Sequence, residues 1–180
     1  RDIRSPMECN NFAWVLAPTR EGKDDFFQSA TRSIIQHLTM SFNLSKLEWS
    51  LADLLRAMRD TKTCVSVLMK HPETGHIAER YLMDQKLAYD ITASMATVCG
   101  DFDPIAACFE KSAERVSITE CIEQETIAVL GSYEISRKAI QRLNVVLGST
   151  YSSRVSVLPE YTPNRYWQFY DEIGEAGSHE

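Results

Sequence analysis

At 180 residues, with 44% apolar and 24% charged side chains, the chain can bury a core and is most simply one domain with a piece of another. A formal net charge of −6 argues against a sequence-independent grip on DNA by the whole domain, which needs phosphate neutralisation; a local basic face remains open. No apolar run approaches the roughly 18–20 residues of a membrane span, and no signal-peptide pattern opens the chain.

Residues 1–22 hold Pro6, Pro18 and Gly22 among mixed neighbours and read as irregular. Asp24 or Asp25 then opens a helix, where a carboxylate suits the first turn, and Phe27, Ala30, Ile34, Leu38 and Phe42 follow as one apolar stripe. Ser50 and Asp53 approximate a capping box before Leu51, Leu54, Leu55 and Met58. Thr61 or Thr63 starts a further helix that stops before Pro72, and another runs from about Thr74 to Met83. Leu87, Ile91, Met95 and Val98 give the clearest stripe, with a stop expected at Gly100. Pro104 suits the first turn of a short helix carrying Ile105, Cys108 and Phe109, and a brief helix over 117–124 follows.

After residue 124 the pattern changes. Glu125 to Gly131 is a short, continuously apolar, partly β-branched run, the signature of a buried parallel strand. A helix with Ile135, Ala139, Leu143 and Val146 inward comes next, and the run Arg165 to Tyr170 closes a βαβ unit. That last strand ends abruptly in Asp171-Glu172 and Gly174. A buried strand delivering two carboxylates to a sheet edge is the Walker B arrangement, in which the first acid holds Mg²⁺ and the second polarises the attacking water. The bland reading is a strand running into a turn. No G-x-x-x-x-G-K-[ST] phosphate loop occurs anywhere in the chain.

The expected architecture is therefore mainly α: a helical, bundle-like insertion domain followed by a partial α/β (βαβ) P-loop ATPase segment. Residues 1–22 read as an irregular linker, 23–124 as the all-α domain, and 125–180 as the partial nucleotide-binding domain. The chain opens on Arg1-Asp2-Ile3-Arg4 without an initiator Met, and reads as a segment of something larger.

The remaining chemistry-bearing residues favour structural roles. The cysteines (Cys9, Cys64, Cys99, Cys108, Cys121) form an odd set without C-x-x-C spacing among apolar neighbours, which favours buried free thiols. His71 and His76, five apart around Pro72 and Gly75, match no helical ligand pair, so metal chemistry is not expected. Lys23, Asp24 and Asp25 fit a solvated helix start better than a site. The acidic stretch 101–125 fits a solvated helix face, with a docking surface for a basic partner as the functional reading. Arg56, Arg59, Lys62 and Lys70 make a basic patch that could touch nucleic-acid backbone, though no interleaved exposed aromatics support it. Trp14, Trp49 and Trp167 fit core or interface anchors. Ser29 and Ser33 lack a His and Asp pattern, and Cys108 and Cys121 lack a nearby base, so nucleophilic catalysis is not expected.

Three stretches together resemble one family. Asp25-Phe26-Phe27-Gln28-Ser29-Ala30-Thr31-Arg32, within the run from Ala17, looks like the opening of the helical insertion in type IV secretion (conjugative) coupling proteins, which are hexameric ATPases. Trp49-Ser50-Leu51-Ala52-Asp53-Leu54 is similar to the start of that insertion's next helix, and Tyr166 to Gly174 to the family's Walker B strand. Asp2-Ile3-Arg4-Ser5 is similar to the Asp-x-Arg just before the insert. The similarity spans most of the chain, and its departure is the missing phosphate loop, so the chain alone is not expected to hydrolyse or tightly bind ATP.

The resemblance implies a cytoplasmic all-α substrate-recognition domain at the mouth of a ring ATPase, anchored to the bacterial inner membrane only through the parent protein. Its implied partners are relaxase or effector proteins, DNA, the other subunits of the parent hexamer and secretion-channel components. Carried over by position, Asp171 would be the magnesium-associated acid and Glu172 the catalytic acid, with ATP and Mg as cofactors of the parent protein. Two rivals remain: a self-contained helical adaptor or scaffold whose Asp-Glu terminus is accidental, and an unrelated P-loop motor such as a DNA-packaging or pilus ATPase. The motor would not need a helical insert of this length.

Overall fold

The computed structural model describes residues 3–18, 25–111 and 124. The described helices belong to one compact unit, Ile3–Lys111. Every regular element among the described residues is an α-helix: α1 (Pro6–Leu16), α2 (Phe26–Leu44), α3 (Leu51–Arg59), α4 (Thr61–Leu68), α5 (Pro72–Tyr81) and α6 (Gln85–Lys111). The all-α reading of this region is therefore correct; the βαβ segment of 125–180 lies outside the described residues.

The helix starts follow from side chains that satisfy orphan backbone donors. Asp25 Oδ1 accepts from the Gln28 amide at 2.7 Å and opens α2. Ser50 and Asp53 form a reciprocal capping box for α3. Asp60, rather than Thr61 or Thr63, caps α4 by accepting from the Thr63 amide at 3.0 Å. In α5 the chain turns helical two residues before Thr74, because Pro72 occupies the first turn, where its missing N–H costs nothing.

Residues 6–16 correct the expectation of an irregular opening. Ser5 accepts from the Glu8 amide at 3.2 Å while the Glu8 carboxylate accepts from the Ser5 amide at 2.8 Å, a capping box with Pro6 at the first helical position. Cys9, Ala13 and Leu16 then recur at spacings of four and three and are buried. The proline read as a breaker is a starter.

The second correction concerns α6. It neither stops at Gly100 nor restarts at Pro104, but runs unbroken through both. The buried stripe Ile91, Met95, Val98 continues at the same spacing through Phe102 and Ile105. Burying Phe102 and Ile105 contributes about 3–6 kcal/mol. That offsets the roughly 4 kcal/mol that a glycine and a proline together cost a helix interior.

α2 is the central helix and packs against each of the other five. Its predicted stripe is buried at Ala30, Ile34, Leu38 and Phe42, joined by Ile35, while Phe27 in the first turn stays partly exposed. Buried hydroxyls stitch the helices together: Thr31 Oγ1 donates to Ser94 Oγ at 3.1 Å, and Ser41 Oγ to the Val67 carbonyl at 2.6 Å. Thr74 Oγ1 donates to the Leu68 carbonyl at 2.6 Å, closing the α4–α5 corner. Among the described residues, no helix is long and apolar enough to cross a membrane.

Candidate functional site

Two charged regions of the helical unit carry interaction chemistry. The first lies between α3 and α6. Arg56 and Arg59, three apart, sit one turn from each other on α3. Arg59 is ion-paired with Asp103 of α6. Arg56 pairs with Asp53 at 2.8 Å on its own helix and reaches Glu110 of α6 at 3.6 Å. These groups are 43% to 67% exposed, so the pairs are solvated and each contributes little to stability. The Asp53 carboxyl is held below the usual carboxylate range, chiefly by the hydrogen bond from the Ser50 hydroxyl, with Arg56 adding a smaller effect. Two of the four basic residues expected to form an open patch thus face acids from α6. The acids Asp103 and Glu110, expected to belong to a solvated face, are about half exposed and face α3.

The second region is the end of the unit where α2 finishes and α5 begins. Ser45 Oγ and His71 Nε2 lie 2.8 Å apart, and Lys46 and Lys70, each the chain neighbour of one of them, are both exposed there. A Schellman-type stop shapes this end: Leu47 donates to the Phe42 carbonyl at 3.2 Å and Lys46 to the Asn43 carbonyl at 3.0 Å. Lys46 adopts φ 53°, which turns the chain sharply out of α2. Sequence reasoning missed Lys46; a lysine two residues after the Asn43-Leu44 pair gave no sign of the left-handed turn.

The aromatic residues divide as anchors and as exposed surface. The Arg32 guanidinium lies 3.9 Å over the Trp14 ring and donates to the Ala17 carbonyl at 3.0 Å, locking α1 to α2. Trp49 stacks on Phe42 with centroids 5.8 Å apart. At the other end of α2, Phe26 meets Tyr81 edge-on at 6.1 Å, with the Arg80 guanidinium 5.1 Å from the Tyr81 ring.

Cys9, Cys64 and Cys99 are buried free thiols, as their apolar neighbours led one to expect. Burial pushes the Cys64 thiol up to about 12 and the Cys99 thiol to about 11, so neither is a nucleophile near neutrality. His71 is engaged with Ser45, and His37 and His76 meet edge-to-face at 5.3 Å; among the described residues no group of three or more His, Cys, Asp or Glu could hold a metal ion. Asp171 and Glu172, the Walker B-like pair, lie outside the described residues, as do Trp167, Cys121 and the acidic positions from 112 to 123. Of the sequence-predicted charged groups, the structure brings together Arg56 and Arg59 with Asp103 and Glu110.

Residues 1–178 match the family model described as the type IV secretion-system coupling protein DNA-binding domain. The match covers nearly the whole chain, and the chain belongs to that family. No curated protein and no solved structure matches.

Proposed function

We propose that this chain is the substrate-recognition domain of a type IV secretion coupling ATPase, which receives DNA-bound relaxase or effector proteins and positions them for transfer. The observation that carries this reading is membership, over residues 1–178, of a family described as DNA-binding. The six-helix unit, with a basic end at Lys46 and Lys70 and a charged α3–α6 face, supports it physically.

The net charge of −6 shapes the mode of binding. DNA phosphates are met locally, at a few Lys and Arg side chains, and most of the affinity for cargo comes from contact with its protein. In this reading ATP and Mg²⁺ belong to the parent hexamer, where Asp171 would sit beside the metal and Glu172 would act on water. Neither acid binds nucleotide tightly without a phosphate loop. The domain works in the cytoplasm, held at the inner membrane by its parent, and meets neighbouring subunits and channel components there.

Fluorescence anisotropy of a labelled single strand and its duplex, titrated with the whole chain, tests the DNA arm. Two phosphate contacts predict that affinity falls about tenfold between about 50 and 200 mM salt. Lys46→Glu with Lys70→Glu should abolish most of that dependence. Binding with no salt dependence, or unchanged by this double substitution, contradicts the placement of the contact.

A further inference from the structure

Arg56 and Arg59 satisfy their guanidinium groups with carboxylates that a polyanion could replace. Both arginines are at least half exposed, as are or nearly are Asp103 and Glu110 opposite them. A guanidinium bonds a phosphate with the same forked geometry it offers a carboxylate. Both acids lie on α6 past Gly100, Asp103 directly before Pro104 and Glu110 near the end of the helix. Pro104 has no N–H to give the Gly100 carbonyl four residues back, so one helical bond is missing there. A Cβ added to Gly100 would meet nothing within 4 Å, so packing does not require the glycine. α6 is held to the other helices by Thr31–Ser94 and Thr61–Thr92 hydrogen bonds and, past Gly100, by the buried Phe102 and Ile105.

We propose that Asp103 and Glu110 form an autoinhibitory latch over a phosphate-binding pair, Arg56 and Arg59, and that a nucleic-acid strand displaces the latch by competing for the two arginines. This rests on the DNA-binding reading and adds its regulation. In the closed state the two acids neutralise the half-exposed pair, and the domain binds DNA weakly through Lys46 and Lys70. In the open state the Asp103 and Glu110 side chains turn away while Phe102 and Ile105 stay buried and α6 stays in place, and two further cations join the contact. Cargo that presents its DNA strongly therefore both binds and unlocks the domain.

The test compares the affinity of a labelled oligo-dT strand for the wild-type chain and for Asp103→Asn/Glu110→Gln at low salt. Two freed cations predict binding about tenfold tighter in the variant. Glu79→Gln/Asp90→Asn, which removes the same charge from exposed positions on α5 and α6, should change it about twofold or less. Adding Arg56→Gln/Arg59→Gln to the latch variant should return its affinity to the wild-type level. Equal effects of the latch variant and the charge-matched control overturn the latch and leave the DNA-binding reading standing. Binding by none of the proteins overturns both.

Discussion

The Trp49 indole donates its N–H to Asn43 Oδ1 at 2.9 Å, and the amide of the same Asn43 donates to the Ile3 carbonyl at 3.1 Å and the Arg4 carbonyl at 3.3 Å. One side chain near the end of α2 thus fastens both the entry to α1 and the loop before α3. Asn43→Ala should cost about 2 kcal/mol, since it leaves a partly buried indole N–H and two carbonyls to find other partners. Urea denaturation followed by tryptophan fluorescence measures it. Asn43→Asp keeps the acceptor for Trp49 but sets a carboxylate oxygen against the Ile3 and Arg4 carbonyls, so it should lose at least as much; a smaller loss would mean that the Trp49 bond dominates.

The capping box of α3 makes a second prediction. Ser50→Ala removes the acceptor of the Asp53 amide and should cost about 1 kcal/mol. It also removes the main reason the Asp53 carboxyl lies below its ordinary range. A depressed carboxyl contributes stability above its unfolded value, near 4, and loses that contribution as pH falls through the lower folded value. The wild-type chain should therefore lose stability more steeply than Ser50→Ala below about pH 4, as acid-denaturation curves would show.

His37 supplies a transition nearer neutrality. Its Nδ1 lies 2.7 Å from the Ser33 carbonyl, and its ring meets His76 edge-on. Burial, opposed by the Ser33 hydrogen bond and reinforced by His76, lowers its pKa. The unfolded chain then binds more protons than the folded one as pH drops through about 6.5, so stability rises with pH across that window. His37→Gln should flatten this slope between about pH 7 and 5. An unchanged slope would assign the titration elsewhere.

Two backbone positions hold stability in reserve. Lys46 sits in the left-handed region at the end of α2, where a side chain costs about 1 kcal/mol, so Lys46→Gly should raise stability by up to that amount. Gly100 is helical with open space around it, and Gly100→Ala should stabilise by about 1 kcal/mol. Thermal melts monitored by circular dichroism check both. A loss on Gly100→Ala would mean that the helix needs glycine's freedom beside Pro104.

The stripes made most of this fold legible in the sequence. Ala30, Ile34, Leu38 and Phe42, and then Ile91, Met95 and Val98, recur at helical spacing and are buried as expected. Ser50-x-x-Asp53 announced its own cap. Local punctuation misled where packing overruled it. Pro6 marked a start instead of a loop, and Gly100 with Pro104 failed to break a helix whose apolar stripe runs on through Phe102 and Ile105. That second error hid the charged site. Asp103 and Glu110 are seven apart, hence on one face, only if α6 is continuous; and their meeting with Arg59 and Arg56 depends on α3 packing against α6, which no sequence spacing encodes.

The most direct measurement of the central claim compares relaxase bound to its DNA strand, relaxase alone and the strand alone for binding to the immobilised chain at physiological salt. The account predicts that the nucleoprotein binds at least about tenfold more tightly than the naked strand, because protein contacts add to a few phosphate contacts. Absence of binding by the nucleoprotein, or binding no tighter than the strand alone, would contradict a role in recognising DNA-bound cargo.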